Sequence, residues 1–182
     1  MSLFFTCGLP RCGKSTFANK WVSEAPNRVI VCSDNIRKAL HGQRYEFLAE
    51  TMVFAIKHVM IRAHLDRGMT VLVDGTHSTD ISIRRLLEID INATPLFFFN
   101  VSPNECQKRA FRDKMYDLGG AIRRINDNFA KICGPFYWQK PENASWCFRD
   151  YISTIGSAIK ERNNASSSLM IVDEEAVKNM VF

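Results

Sequence analysis

Long hydrophobic runs are missing from this sequence. Stretches such as Leu96-Phe97-Phe98-Phe99 are short, well below the roughly 20 apolar residues a membrane-spanning helix needs. Zinc-ligand spacing is missing too: the six cysteines, at 7, 12, 32, 106, 133 and 147, form no C-x-x-C pair and no Cys-His cluster. The opening MSLFFTCG has neither a basic start nor a small-residue cleavage site, so no secretory leader is expected. There is no internal repeat. With hydrophobic residues at 46% and charged residues at 24%, disorder and collagen-like structure are excluded. A chain of 182 residues is long enough to bury a core without staples, and a single domain over 1–182 is expected.

What is present is an alternation of short apolar runs and amphipathic segments, the pattern of an α/β fold with a parallel sheet. Five strands are expected, at Ser2–Cys7, Arg28–Ser33, Met69–Asp74, Pro95–Val101 and Leu169–Asp173, with helices on both faces. Helices are expected at Lys14–Ala25, Tyr45–Arg67, Thr79–Glu88, Pro103–Arg112 and Ala121–Cys133. In the second of these, Leu48, Met52, Ala55 and Val59 share one face, with Glu46, Glu50, Lys57 and His64 opposite. Gly68 suits its C-terminal cap, and Ser102-Pro103 reads as an N-cap followed by proline at the first helical position. Gly134–Ser145 reads as loop and Arg162–Ser168 as a polar connection to the last strand. The net charge of +5 favours an anionic partner.

The most specific motif is Gly8-Leu9-Pro10-Arg11-Cys12-Gly13-Lys14-Ser15-Thr16, which fits G-x-x-x-x-G-K-[ST] between a strand and a helix. Glycines let successive N–H groups converge on a phosphate, and the following helix offers its N-terminus to the anion. Lys14 is placed to reach the β- and γ-phosphates and the Ser15 hydroxyl to ligate Mg²⁺. The loop residues Gly8, Arg11, Cys12, Gly13, Lys14, Ser15 and Thr16 are therefore the candidate ATP-binding set. Such a site belongs in a reducing compartment, so all six thiols are expected to be free. A guanine-reading Asn-Lys-x-Asp is missing, which argues against a GTPase.

The second strand runs into Cys32-Ser33-Asp34-Asn35-Ile36-Arg37. An aspartate at the carboxyl end of a strand faces the ligand crevice of an open α/β sheet, and three-residue spacing puts Arg37 on the same helix face. The pair suits a base taking a hydroxyl proton beside a phosphate-holding guanidinium, or an ordinary Asp N-cap with a surface arginine.

The segments GLPRCGKST, VCSDNIRKALHG and VLVDGTH together resemble the polynucleotide-kinase-type branch of P-loop kinases, a branch well represented in bacteriophages. The resemblance covers roughly residues 2–133, and its pattern is a Walker loop, a strand ending in S-D-x-x-R and a strand ending in D-x-T-N. It implies that Asp34 is the general base and that Arg37 binds the acceptor's phosphate. Asp74 then holds the Mg²⁺ water shell or orients the acceptor, and His77, where the family usually has asparagine, is a candidate acceptor contact. It further implies a lid, at about 109–120, from which Arg109 and Arg112 close over the ATP phosphates.

The expected activity is transfer of the ATP γ-phosphoryl group to a hydroxyl on nucleic acid, DNA favoured. That hydroxyl is either a 5′-hydroxyl end or the hydroxymethyl group of 5-hydroxymethyluracil, as in a related phage kinase group. The expected location is the cytoplasm, the host's if the chain is phage-encoded. Two other classes stay open: a nucleoside or other small-metabolite kinase, and an ATP-binding switch protein without kinase activity. For the aromatic set Phe136, Tyr137, Trp138 and Trp146 near Lys140 and Arg149, base stacking competes with a C-terminal hydrophobic core. Arg123 and Arg124 are read as solvated helix charges or nucleic-acid contacts.

Overall fold

A computed structural model describes residues 2–42 and 45–178, the side chains of 165–178 excepted. Four strands, β1 (Ser2–Gly8), β2 (Arg28–Cys32), β3 (Thr70–Asp74) and β4 (Thr94–Phe98), form one parallel sheet in the order β2-β3-β1-β4. The two central strands carry the most buried runs: Leu3, Phe5 and Cys7 of β1 and Val71, Leu72 and Val73 of β3 are within the core. Pro95, which has no N–H to give to a second neighbour, lies in β4 at the sheet edge.

Among the described residues seven α-helices accompany the sheet: α1 (Lys14–Ser23), α2 (Ser33–His41), α3 (Glu50–Asp66), α4 (Asp80–Leu87), α5 (Pro103–Arg112), α6 (Leu118–Cys133) and α7 (Pro141–Lys178). Their starts follow local chemistry. The Ser102 side chain accepts from Glu105 N ahead of Pro103, and Thr79 and Ser82 close a reciprocal capping box on α4. Gly68 takes a left-handed φ of 76° where the chain leaves α3. No described helix is long and apolar enough to cross a membrane.

Several expectations are corrected. The sheet has four strands rather than five, because Leu169–Asp173 continues α7. Between Gly156 and the end of that helix there is no glycine or proline to break it, so the polar stretch from Arg162 to Ser168 stays helical as well. The segment read as loop from Gly134 contains a 3-10 turn at Tyr137–Gln139 and the start of α7. A 3-10 turn at Phe47–Ala49 precedes α3, which begins at Glu50.

The face of α3 is also not the one expected. Val53, Lys57, Ile61 and Leu65 are buried, while Leu48, Met52 and Val59 are exposed. The helix is apolar around much of its circumference, so two stripes compete. The stripe completed by Ile61 and Leu65 wins, and it carries Lys57 inward.

Beside β4, Phe99, Phe129, Tyr137 and Phe148 pack edge-on or, for Phe129 and Tyr137, tilted, with ring centroids 5.0 to 5.8 Å apart. Of the C-terminal aromatics, Tyr137 therefore belongs to the core, whereas Phe136 and Trp146 face solvent. Arg149 stacks on Phe97 at 5.7 Å, and Arg123 and Arg124 are exposed. The six cysteines are unpaired. Phe99→Ala removes the ring that four other aromatics touch, and should lower unfolding free energy by about 3–5 kcal/mol in a urea titration. A loss under about 1 kcal/mol would mean that this cluster is not the core of the C-terminal half.

Candidate active site

The parallel registers bring Gly8 level with Phe98 and Cys32 level with Asp74, so the carboxyl ends of all four strands open onto one edge. At the end of β1 the chain must turn sharply under β4. A Cβ on Gly8 would lie 2.8 Å from the Phe98 carbonyl oxygen, which leaves room for glycine alone. Gly13 at φ 106° and Arg11 at φ 67° then curl the loop into the start of α1. Lys14 is buried and donates from Nζ to the Leu9 carbonyl, with the Cys12 thiol 3.6 Å away, which holds the ammonium over the loop backbone. Burial pushes the Cys7 thiol pKa up, with Lys14 pulling it the other way, and pushes the Cys106 thiol to about 12. These cysteines act as small apolar packing groups beneath the loop.

Asp74 is the junction of the site. It is buried at the end of β3, where Oδ2 accepts from Ser15 Oγ at 2.6 Å and Oδ1 from Thr6 Oγ1 at 3.3 Å. The single Thr6 hydroxyl proton is shared between that carboxylate and the nearer Gly75 carbonyl at 2.8 Å, while Thr6 Oγ1 accepts from Gly75 N at 3.0 Å. One hydroxyl and one carboxylate, both hard oxygen donors within reach of a phosphate loop, fit Mg²⁺, which takes few protein ligands and relies on substrate phosphates and water for the rest. Among the described residues no cluster of three or more His, Cys, Asp or Glu forms a protein-only metal cage.

Across from this junction, Asp34 and Arg37 sit on the first turn of α2 and are ion-paired through Asp34 Oδ1 and Arg37 Nη1 at 2.5 Å. Asp34 is 73% exposed, whereas Arg37 is 14% exposed. Glu50, at the start of α3, grips Arg37 with both oxygens, at 2.7 Å to Nε and 2.8 Å to Nη2. The Arg37 pKa is raised, chiefly by the Glu50 hydrogen bonds. Glu50, expected on the outer face of α3, is instead turned to Arg37. Its one sequence signal was its place at the helix start, where an acidic residue suits the dipole.

His77 is buried rather than facing the cleft. Its Nδ1 donates to the Thr6 carbonyl at 2.7 Å, its ring meets Phe5 edge-on at 5.5 Å, and it lies against Gly75, where a Cβ would come within 2.7 Å of Cε1. Burial, reinforced by the nearby Lys57 charge, lowers its pKa to about 3. It is a neutral ring bracing the turn after β3.

The structure brings Arg109 to the phosphate loop and leaves Arg112 outside. Arg109 Nη1 donates to the Arg11 carbonyl at 3.3 Å, while its Nε is held by Glu105 at 2.8 Å one turn back. Arg112 is 74% exposed and, among the described residues, pairs with Asp113 alone. Asp113 also pairs with Arg11, tying the end of α5 to the loop. The region at 109–120 is the last turn of α5, a short link with Lys114 at φ 56°, and the first turn of α6. Thr16 lies exposed on the first turn of α1.

The AAA domain family model matches residues 3–112. The chain belongs to this family and is a P-loop, kinase-like nucleotide-binding domain. No curated protein sequence matches it. Among solved structures, a chain of the Pnkp1/Rnl/Hen1 RNA repair complex is similar at a TM-score of 0.58 and 19% identity, covering 71% of this chain and 45% of that one. A second structure of the Pnkp1/Rnl/Hen1 complex gives 0.54 and 24% identity, with 59% and 39% covered. The chain thus spans less than half of either, and both likenesses show the fold. Shikimate kinase from Acinetobacter baumannii in complex with shikimate covers 89% of this chain and 94% of that one at 18% identity, with a TM-score of 0.46.

His77 makes stability depend on pH in a definite direction. Its folded pKa lies below the unfolded value of 6.5, so the folded state resists protonation. The stability it supplies is complete above pH 6.5 and is lost as pH falls toward about 3, at up to about 1.4 kcal/mol per pH unit. His77→Gln should therefore flatten the drop in Tm between pH 6.5 and 4.5 relative to the unsubstituted protein, as read by thermal unfolding. Parallel curves would show that His77 is not held neutral.

Proposed function

We propose that the chain is an ATP-dependent kinase that transfers the γ-phosphoryl group to a hydroxyl of a nucleic acid, on DNA in preference to RNA. The observation that carries this reading is the solvent-facing Asp34, clamped by Arg37 one strand away from the Ser15–Asp74 pair. A phosphate-loop protein that only binds or slowly hydrolyses ATP has no need of a second, oriented carboxylate on the acceptor side.

In this reading Lys14 and the loop N–H groups hold the β- and γ-phosphates, and Ser15 with Asp74 holds Mg²⁺. When bound, the ion supplies charge neutralisation on the β- and γ-oxygens. Asp34 accepts the proton of the acceptor hydroxyl as that oxygen bonds to the γ-phosphorus and the bond to the β–γ bridging oxygen breaks, leaving ADP. Arg109, already on the Arg11 carbonyl, stabilises charge on the transferring group. Arg112 joins only if the short link after α5 moves inward. His77 braces the Thr6–Gly75 turn and thereby the Asp74 carboxylate. The polynucleotide kinase-like pattern of the three motifs supports nucleic acid as the acceptor class, as does the net charge of +5.

A small-metabolite kinase is the second reading. Its specific support is Glu50, whose two bonds to Arg37 partly neutralise the guanidinium that would otherwise grip a phosphate. A γ-phosphate transfer screen separates the two, using oligonucleotides with 5′-hydroxyl ends, oligonucleotides with 5-hydroxymethyluracil, and free nucleosides. Transfer to an oligonucleotide is expected, with Asp34→Asn lowering its rate by roughly 10²–10⁴ while ATP affinity stays within a few-fold. Transfer to free nucleosides alone would replace the nucleic-acid reading with the second one. Unchanged turnover in Asp34→Asn would remove Asp34 as the base.

A further inference from the structure

The acceptor side of the cleft holds a cation that the mechanism above does not use. Lys57 rises from the buried stripe of α3, a helix packed on β2 and β3. Only 7% of the residue is exposed, and among the described residues both carboxylates nearest the start of its helix are ion-paired to Arg37 rather than to Lys57. The ammonium lies 5.2 Å from the Phe54 ring centroid, and that ring is shared with Arg85, whose guanidinium stands 4.6 Å away. Arg85 and Arg37 are close enough to oppose its charge, while Cys32 at the end of β2 and Glu50 act to favour it. His77, beyond the end of β3, also feels it. Lys57 therefore lies toward the carboxyl ends of β2 and β3, the end of the sheet that also carries Asp34 and Asp74.

The charges around it do not balance. Asp34 and Glu50 are both committed to Arg37, which leaves the positive charges of Lys57 and Arg85 on one aromatic ring. Burial lowers the Lys57 pKa to about 8, with Arg85 and Arg37 adding to the effect. A lysine in such a place costs stability, and nothing in the fold requires it there: an apolar side chain of the same length would complete the Val53-Ile61-Leu65 stripe.

We propose that Lys57, with Arg85 at the mouth, forms an oxyanion subsite that receives a phosphate carried by the acceptor next to its reacting hydroxyl. Arg37, neutralised by Glu50, serves instead to orient Asp34. The inference rests on the kinase reading for its acceptor, but its test is a binding measurement that requires no phosphoryl transfer.

With the phosphate loop saturated by a non-hydrolysable ATP analogue and Mg²⁺, thymidine 3′-phosphate and thymidine are titrated calorimetrically into the full chain. The phosphorylated probe should bind about tenfold or more tightly, the effect of one charge-assisted contact. Lys57→Met should erase that preference, leave the affinity for thymidine and for the ATP analogue unchanged, and raise Tm, because a largely buried charge with no ion-paired carboxylate is gone. Lys57→Arg should keep most of the preference. Glycerol 3-phosphate as a third probe tells the source of the phosphate: Lys57-dependent binding of equal strength keeps the subsite and assigns it to small phosphate esters.

A preference that survives in Lys57→Met, or is missing from the unsubstituted protein, would overturn the subsite. So would a lower Tm in Lys57→Met, which would make Lys57 a structural residue. Should Lys57→Met not fold, the same preference is read from Lys57→Gln against Lys57→Arg, and equal preferences would overturn the proposal.

Discussion

The contact between Asp74 and Ser15 joins the phosphate loop to the centre of the sheet. Two hydroxyls, one from α1 and one from β1, converge on a single carboxylate at the end of β3, the second sharing its one proton with the Gly75 carbonyl. A buried carboxylate survives only if its oxygens are satisfied, and these are, by residues separated by 59 and 68 positions in sequence. The contact fixes where the loop sits relative to β3. Because Cys32 is level with Asp74 in the neighbouring strand, it fixes equally where Asp34 sits relative to the loop. Thr6, Gly75 and His77 form the support beneath it, and the near-contact of the imidazole with Gly75 leaves no room for a side chain there.

The two halves of the cleft are built on different electrostatics. On the phosphate side Lys14 is held by backbone and thiol groups, with no carboxylate ion-paired to it among the described residues, so its charge stays available to an anion. On the α2 side Arg37 carries two carboxylates, one of them Asp34 on a helix turn that is otherwise open to solvent. The positive charge not neutralised there is displaced one layer inward, to Lys57.

Much of this was legible in the sequence where the chemistry is local. The phosphate loop declares itself in nine consecutive residues, since the turn, the glycines and the helix start are all short-range requirements. The Asp34–Arg37 pair follows from helical spacing, and the Ser102-Pro103 start of α5 from capping rules. What was not legible depends on choices made between elements. The helix α3 is apolar on more than one side, so the partner surface decided which stripe went inward, and with it the placing of Glu50 and Lys57. The run at Leu169–Asp173 has strand-like residues, but nothing before it stops α7. Arg109 was expected only through the lid that the family resemblance implies. The Arg11–Asp113 pair that ties its helix to the loop joins residues about a hundred positions apart and left no local trace.

The central claim is that the end of β3 and the start of α1 form one Mg²⁺-dependent phosphate site, and nucleotide binding measures it most directly. A fluorescent ATP analogue is titrated into the unsubstituted protein and into Asp74→Asn, with Mg²⁺ and with a chelator. The account expects Mg²⁺ to tighten binding in the former, and the Mg²⁺ effect to vanish in Asp74→Asn while metal-free affinity stays within a few-fold. An undiminished Mg²⁺ effect in Asp74→Asn would contradict the assignment of this carboxylate and the site built around it.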